Sequence, residues 1–181
     1  KEELLYPVLE NWLLEEDYQA EDVHTRTGGG KWGNPDIAGL KVIAGLSGYD
    51  VELATIEAKP TLEGWERYFF EAVSHRRFAN RCYFAFAHPS EEMTKLPSDL
   101  RYYSELYGVG VLVIELTSED FQKFRSGRFS RPFDVEQTDV RELYSAPFMY
   151  VQKQYQMRYL ANIDVNTLQD AMAFGRRLDT E

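Results

Sequence analysis

The sequence predicts an α/β domain in which a central mixed β-sheet is flanked by helices, followed by a helical C-terminal extension. Two observations predict it. Stretches with helical apolar spacing alternate with short apolar or aromatic runs of strand length, the pattern of a sheet covered on both faces. Gly45-Leu46-Ser47-Gly48 has turn composition and joins two strand-like segments into a hairpin.

Leu5, Val8, Leu9, Trp12 and Leu13 fall on one helical face of residues 2–16. Residues 18–24 alternate loosely, as a short strand does, and the glycine-rich residues 27–33 are a loop. Residues 36–43 and 50–58 are the two hairpin strands, and Pro60 bars further pairing. A helix over 62–79 sets Leu62, Trp65, Phe69, Ala72 and Val73 on one side. Residues 81–87 are an aromatic-rich strand, 91–107 a helix with a break at Pro97, and 109–114 an apolar run suited to a buried strand. Residues 137–160 and 165–178 are expected to be mostly helical, with Asp164 capping the last helix. The predicted division is a core over 1–125 and a helical extension over 126–181.

A chain of 181 residues, 44% apolar and 14% aromatic, is enough for one domain with a real core. No apolar run approaches the ~18 residues of a membrane span, and no secretory signal is visible. The chain opens on Lys1, so it is expected to be one domain of a larger protein. Cys82 is the single cysteine; no intrachain disulfide can form, and an intracellular, cytoplasmic setting is expected. The formal charge of -10 argues against passive electrostatic binding of nucleic acid. It leaves room for a metal enzyme, because acids that hold a cation count toward that charge and the cation reverses their local sign.

The chemistry concentrates in Asn34-Pro35-Asp36 and Glu57-Ala58-Lys59. If Ala44 faces Tyr49 across the turn, the constant sum of paired residue numbers makes Asp36 face Glu57, with Cβ atoms ~4.5–5.5 Å apart. Lys59 lies two residues on, on the same face and ~6.6 Å along the strand. Two carboxylates so close repel each other, and one tends to keep its proton. Mg²⁺ or Mn²⁺ removes that repulsion; Mg²⁺ takes one or two carboxylates, with water and substrate oxygens completing its shell. Such a cation polarises a phosphoryl oxygen and acidifies a bound water, and Lys59 is suited to orienting that water or stabilising phosphate charge.

This arrangement resembles the PD-(D/E)XK nuclease superfamily, the restriction-endonuclease-like fold. Pro35-Asp36 matches the first half of its motif and Glu57-Ala58-Lys59 the second, and the likeness in element order covers roughly residues 2–116. The resemblance implies a metal-dependent phosphodiesterase, an endonuclease, in which Asp36 and Glu57 bind Mg²⁺ (or Mn²⁺), the Ala58 carbonyl adds a ligand, and Lys59 is the catalytic lysine. Many members place a further glutamate on the first helix. Glu2, in phase with Leu5 and Leu9, is the first choice, with Glu3 and Glu10 as alternatives. Some relatives carry a glutamine and a tyrosine four apart on the helix after the lysine; here the stretch reads Ser74-His75-Arg76-Arg77-Phe78 and departs from that pattern.

Candidate substrate contacts are Lys31 in the glycine-rich loop, with His24 and Arg26, and Arg76 and Arg77 in a basic cluster with His75 and Arg81 at a helix end. Helix-dipole complementation at a solvated helix end is the favoured account of that cluster, and phosphate contact the alternative. Lys123, Arg125, Arg128 and Arg131, interleaved with Phe124 and Phe129, suit either nucleic acid or an exposed loop with aromatics tucked inward. The glycine-rich loop lacks the upstream glycine and following Ser or Thr of a phosphate loop. His24, His75 and His88 lack zinc-ligand spacing. The expected partner is nucleic acid, DNA before RNA, in restriction, repair or antiviral defence, with no membrane. Targeting is expected from another domain, a partner protein or homodimerisation. The alternatives are a non-catalytic binding or scaffolding module that keeps the fold, and a metal-dependent enzyme acting on small nucleotides.

Overall fold

The computed structural model describes residues 1–26 and 33–176. The first apolar stripe folds as a 3-10 turn, Glu2–Leu5, running into helix α1 (Tyr6–Glu15). Pro7 sits in the first turn of α1, where a missing N–H removes no helical bond. Leu5, Val8, Leu9, Trp12 and Leu13 are all buried. Strands β1 (Gln19–Asp22), β2 (Ile37–Gly45) and β3 (Gly48–Lys59) follow as an antiparallel run. Gly48 has φ 127°, in the region that favours glycine, and Ala44 faces Tyr49 in the register the turn predicts.

Helix α2 (Trp65–Ser74), strand β4 (Arg81–Pro89), helix α3 (Asp99–Tyr107) and strand β5 (Gly110–Leu116) place β3, β4 and β5 side by side and parallel. A 3-10 segment, Ser90–Lys95, precedes α3, so the chain breaks at Pro97 as predicted. β3 is buried on both faces from Glu52 to Ala58, and successive side chains alternate between two core clusters. Ala54, Ile56 and Ala58 pack with α1, whereas Leu53 packs with Trp65, Phe69 and Ala72 of α2. A period of two therefore assigns Thr55, Glu57 and Lys59 to the α2 face. β4 is buried on both faces, with Tyr83 and Ala85 toward α1 and Phe84 and Phe86 toward α2.

The C-terminal part differs from the helical expectation. After helix α4 (Ser118–Arg125), strand β6 (Asp139–Tyr144) pairs antiparallel with β5 and completes a six-stranded mixed sheet in the order β1-β2-β3-β4-β5-β6. The sheet therefore crosses the division expected at residue 125. β6 is largely exposed; only its partial packing and the unpaired edge of β5 hold it, so tertiary pairing overrides weak local preference. Helices α5 (Lys153–Asn162) and α6 (Leu168–Ala173) end the described chain. Asp164 does not cap α6: it has φ 63° and its carboxylate pairs with Arg26 at 2.8 Å. Thr167 and Asp170 form the capping box instead. Among the described residues no helix is long and apolar enough to cross a membrane.

Candidate active site

Glu57 and Lys59 stand at the end of β3, and Asp36 immediately precedes β2. The β2–β3 ladder stops at Ile37 opposite Ile56, one step short of the predicted Asp36–Glu57 pair. Asp36 instead bridges two residues of β3. Its amide donates to the Ile56 carbonyl at 3.1 Å, and its Oδ2 accepts from the Ala58 amide at 2.7 Å. In a strand the N–H and C=O of one residue point to the same side. The Ala58 carbonyl therefore faces the Asp36 side, past the end of the ladder. Tyr6 donates to Asp36 Oδ1 at 2.8 Å.

Lys59 Nζ lies 2.5 Å from Glu57 Oε1 and 2.9 Å from Glu71 Oε2. His75 Nε2 lies 3.8 Å from Glu57 Oε2. Glu71 and His75 are four apart, spanning the end of α2 and the 3-10 turn His75–Arg77, so one helical face delivers both to the cluster. Apolar spacing does not single out Glu71, and by sequence His75 groups with the basic cluster rather than with the acids. The available signal was two polar residues at i, i+4 that continue the helical stripe of Arg67 and Tyr68, which line the cleft beside Lys59. Asp36, Glu57, Glu71 and His75 are all buried.

Burial dominates the ionisation of this cluster. It pushes Asp36 up to about 6, against the bonds from Ala58 and Tyr6 and the charge of Lys59. Burial, then the charge of Asp36, pushes Glu57 up to about 9, with Glu71 adding and Lys59 opposing. Protons here belong to the carboxyl group of residues rather than to one member. Burial also opposes the Lys59 charge, but Glu57 and Glu71 outweigh it and raise its pKa, keeping the ammonium protonated. His75 is pushed down to about 3 by burial, then by the charges of Arg77 and Lys59.

A cleft of about 690 Å³ opens over Lys59 and Glu71, with Glu2, Arg67 and Tyr68 among its walls. The predicted Glu2 thus reaches the cleft, and its charge acts on Asp36. Glu3 pairs with His24 at 3.4 Å, and neither Glu3 nor Glu10 lines the cleft. Among the described residues no group of three or more His, Cys, Asp or Glu side chains is placed to hold a metal. Glu2 therefore does not complete a three-acid set with Asp36 and Glu57. The donors still suit a hard cation of the Mg²⁺ kind, which takes one or two carboxylates plus carbonyl and water oxygens. Asp36 Oδ1 accepts from Tyr6 and Oδ2 from the Ala58 amide, and each carboxylate oxygen has a second lone pair to offer a cation.

The other predicted contacts separate. Lys31 lies outside the described residues. His24 pairs with Asp22 and Glu3, and Arg26 with Glu21 and Asp164. The basic cluster at the helix end disperses: His75 is buried, Arg81 pairs with Glu52 at 2.6 Å, and Arg76 donates to the Tyr107 carbonyl. Arg76 and Arg77 line a different concavity. Lys123 pairs with Glu119 at 2.6 Å on α4, while Phe124 is buried and Phe129 packs beside it, the inward-tucked arrangement.

No family model matches the chain, and no curated protein matches it. Among solved structures it is similar to SPO1766, a protein of unknown function from Silicibacter pomeroyi, at 15% identity and a TM-score of 0.47, over 98% of this chain and 94% of that one.

Proposed function

We propose that this chain is a divalent-metal-dependent nuclease of the PD-(D/E)XK kind, hydrolysing phosphodiester bonds in nucleic acid, DNA before RNA. The observation that carries the proposal is the bridge from Asp36 to Ala58, which fixes one buried carboxylate against the Glu57-Ala58-Lys59 strand end beside an open cleft. Asp36, Glu57 and the Ala58 carbonyl would hold Mg²⁺ or Mn²⁺. When bound, the cation supplies Lewis-acid polarisation of a phosphoryl oxygen and a more acidic water.

The chain's own groups do the rest. Tyr6 and the Ala58 amide orient Asp36 and favour its charged form. Lys59, held protonated by its carboxylate neighbours, is suited to donate to a phosphate oxygen as negative charge develops there. The same raised pKa argues against Lys59 as a proton acceptor. Glu71 tethers the ammonium until a phosphate competes for it, and buried His75 closes the wall behind Glu57. A cation held by Asp36 and Glu57 would need both carboxyls ionised against the burial that raises their pKa, so its affinity should rise with pH.

Calorimetry with Mn²⁺ and Mg²⁺, paired with incubation of supercoiled plasmid, single-stranded DNA and RNA in metal or EDTA, tests the proposal. Metal-dependent cleavage supports it. Absence of both metal binding and cleavage of every polymer rejects it.

A further inference from the structure

A second concavity, of about 710 Å³, opens where the 3-10 turn His75–Arg77 meets α5 and the residues just before it. Arg76, Arg77 and Arg158 line it with Tyr150 and Tyr155, and among the described residues no Asp or Glu does. The chain carries 30 acidic against 20 basic residues, so a lining of three arginines with no acid among the described residues inverts the average surface. Tyr150 is 92% exposed and Tyr155 46%. Exposed aromatic rings beside arginines are the two ingredients of single-strand recognition, a stacking platform and phosphate partners. The Arg158 guanidinium lies 6.0 Å from the Tyr155 ring centroid.

The walls are fixed by packing. Phe78 and Tyr159 stack at 4.0 Å and 11°. Gln156 donates to the Phe78 carbonyl at 3.2 Å and to Asn80 Oδ1 at 2.8 Å. Asn80 also exchanges bonds with Met149, its carbonyl accepting at 2.8 Å and its Nδ2 donating at 3.1 Å. The Tyr107 carbonyl anchors Arg76. The concavity also joins the acid cluster along the chain at two points. Gly33 lines it three residues before Asp36. His75, which approaches Glu57 to 3.8 Å, directly precedes Arg76.

We propose that this concavity binds a nucleotide unit, with its phosphate on Arg76, Arg77 and Arg158 and its base against Tyr150 or Tyr155. It thereby holds a single strand beside the acid cluster and gives the C-terminal segment a substrate-binding role. The placement beside a scissile phosphate rests on the nuclease proposal; the binding itself does not.

The test is fluorescence anisotropy in EDTA, with the whole chain and three probes: a labelled single-stranded DNA oligonucleotide, a labelled nucleoside monophosphate, and a duplex. The variants are Arg158→Ala, Tyr155→Ala and Arg101→Ala, each with its melting temperature measured. Strand binding weakened about tenfold or more by Arg158→Ala and by Tyr155→Ala, at unchanged melting temperature, is the expected result. Arg158→Ala should also flatten the salt dependence, and Arg101→Ala, at an exposed arginine paired with Glu105 away from the concavity, should keep strand binding. Mononucleotide binding as tight as strand binding, lost in the same variants, supports the pocket and makes a lone nucleotide its ligand. Pocket-dependent binding without cleavage under any metal leaves the pocket standing and removes the nuclease. Strand binding unchanged in both pocket variants, or binding of neither strand nor mononucleotide by the unaltered chain, overturns the proposal.

Discussion

The carboxylate of Asp36 accepts the backbone amide of Ala58 at 2.7 Å, a bond between residues 22 apart in sequence. It replaces the next rung of the β2–β3 ladder with a side-chain rung and so turns the end of a hairpin into a buried acidic site.

Tyr6 holds the other Asp36 oxygen, and its bond lowers the pKa of that carboxyl. Tyr6→Phe should therefore let Asp36 keep its proton to higher pH. The acid limb of the pH–rate profile should move upward, with a stability loss of about 1–3 kcal/mol from a lost buried bond to a charged group. A pH–rate profile beside a denaturant titration reads both.

Glu71 tethers Lys59 and raises the pKa of Glu57. Glu71→Gln should shift the acid limb the opposite way, downward, and lower kcat about tenfold by loosening the lysine while leaving KM nearly unchanged. Steady-state kinetics across pH check the split; a changed KM at constant kcat would instead make Glu71 a substrate-binding residue.

His75 is neutral in the fold, with a pKa pushed down to about 3 from an ordinary 6.5. Below 6.5 the unfolded chain takes up a proton that the folded chain refuses. This histidine's contribution is therefore whole above pH 6.5 and is lost as pH falls toward 3, at no more than about 1.4 kcal/mol per pH unit. The buried carboxyls act in the reverse sense, losing stability as pH rises from their unfolded range toward about 6 for Asp36 and about 9 for Glu57. The difference in unfolding free energy between the wild type and His75→Gln, followed from pH 7 to pH 4, isolates the histidine and should shrink on acidification.

Gly110 pairs with Tyr83 across β4 and β5, and a Cβ there would meet the Tyr83 ring at 2.5 Å and the Ala146 amide nitrogen at 2.7 Å. Gly110→Ala should cost about 1–3 kcal/mol by overpacking, visible as a lower urea midpoint at constant slope.

The hairpin and its register were legible because turn composition and strand parity are local. The placing of Asp36, Glu57 and Lys59 at one end of the hairpin was legible for the same reason. The departure at Asp36 was not, since it depends on one side chain competing with a backbone rung. Glu71 and His75 were hidden because a helix face read for apolar spacing does not show which polar residues point inward at its end. His75, read with its basic neighbours, is in fact the buried member that separates them from the acids. β6 escaped because an exposed edge strand owes its form to β5 rather than to its own sequence. Arg158 and the tyrosines near it carry no motif, and only folding brings them to Arg76.

The most direct measurement is single-turnover cleavage of supercoiled plasmid and of single-stranded DNA in Mn²⁺ by wild type, Asp36→Asn and Lys59→Ala, each shown folded by its melting curve. Cleavage abolished by EDTA and slowed at least about a hundredfold in both variants is the predicted result. Cleavage that persists at the wild-type rate in either folded variant, or that proceeds in EDTA, contradicts a metal-dependent nuclease built on Asp36 and the Glu57-Ala58-Lys59 strand end.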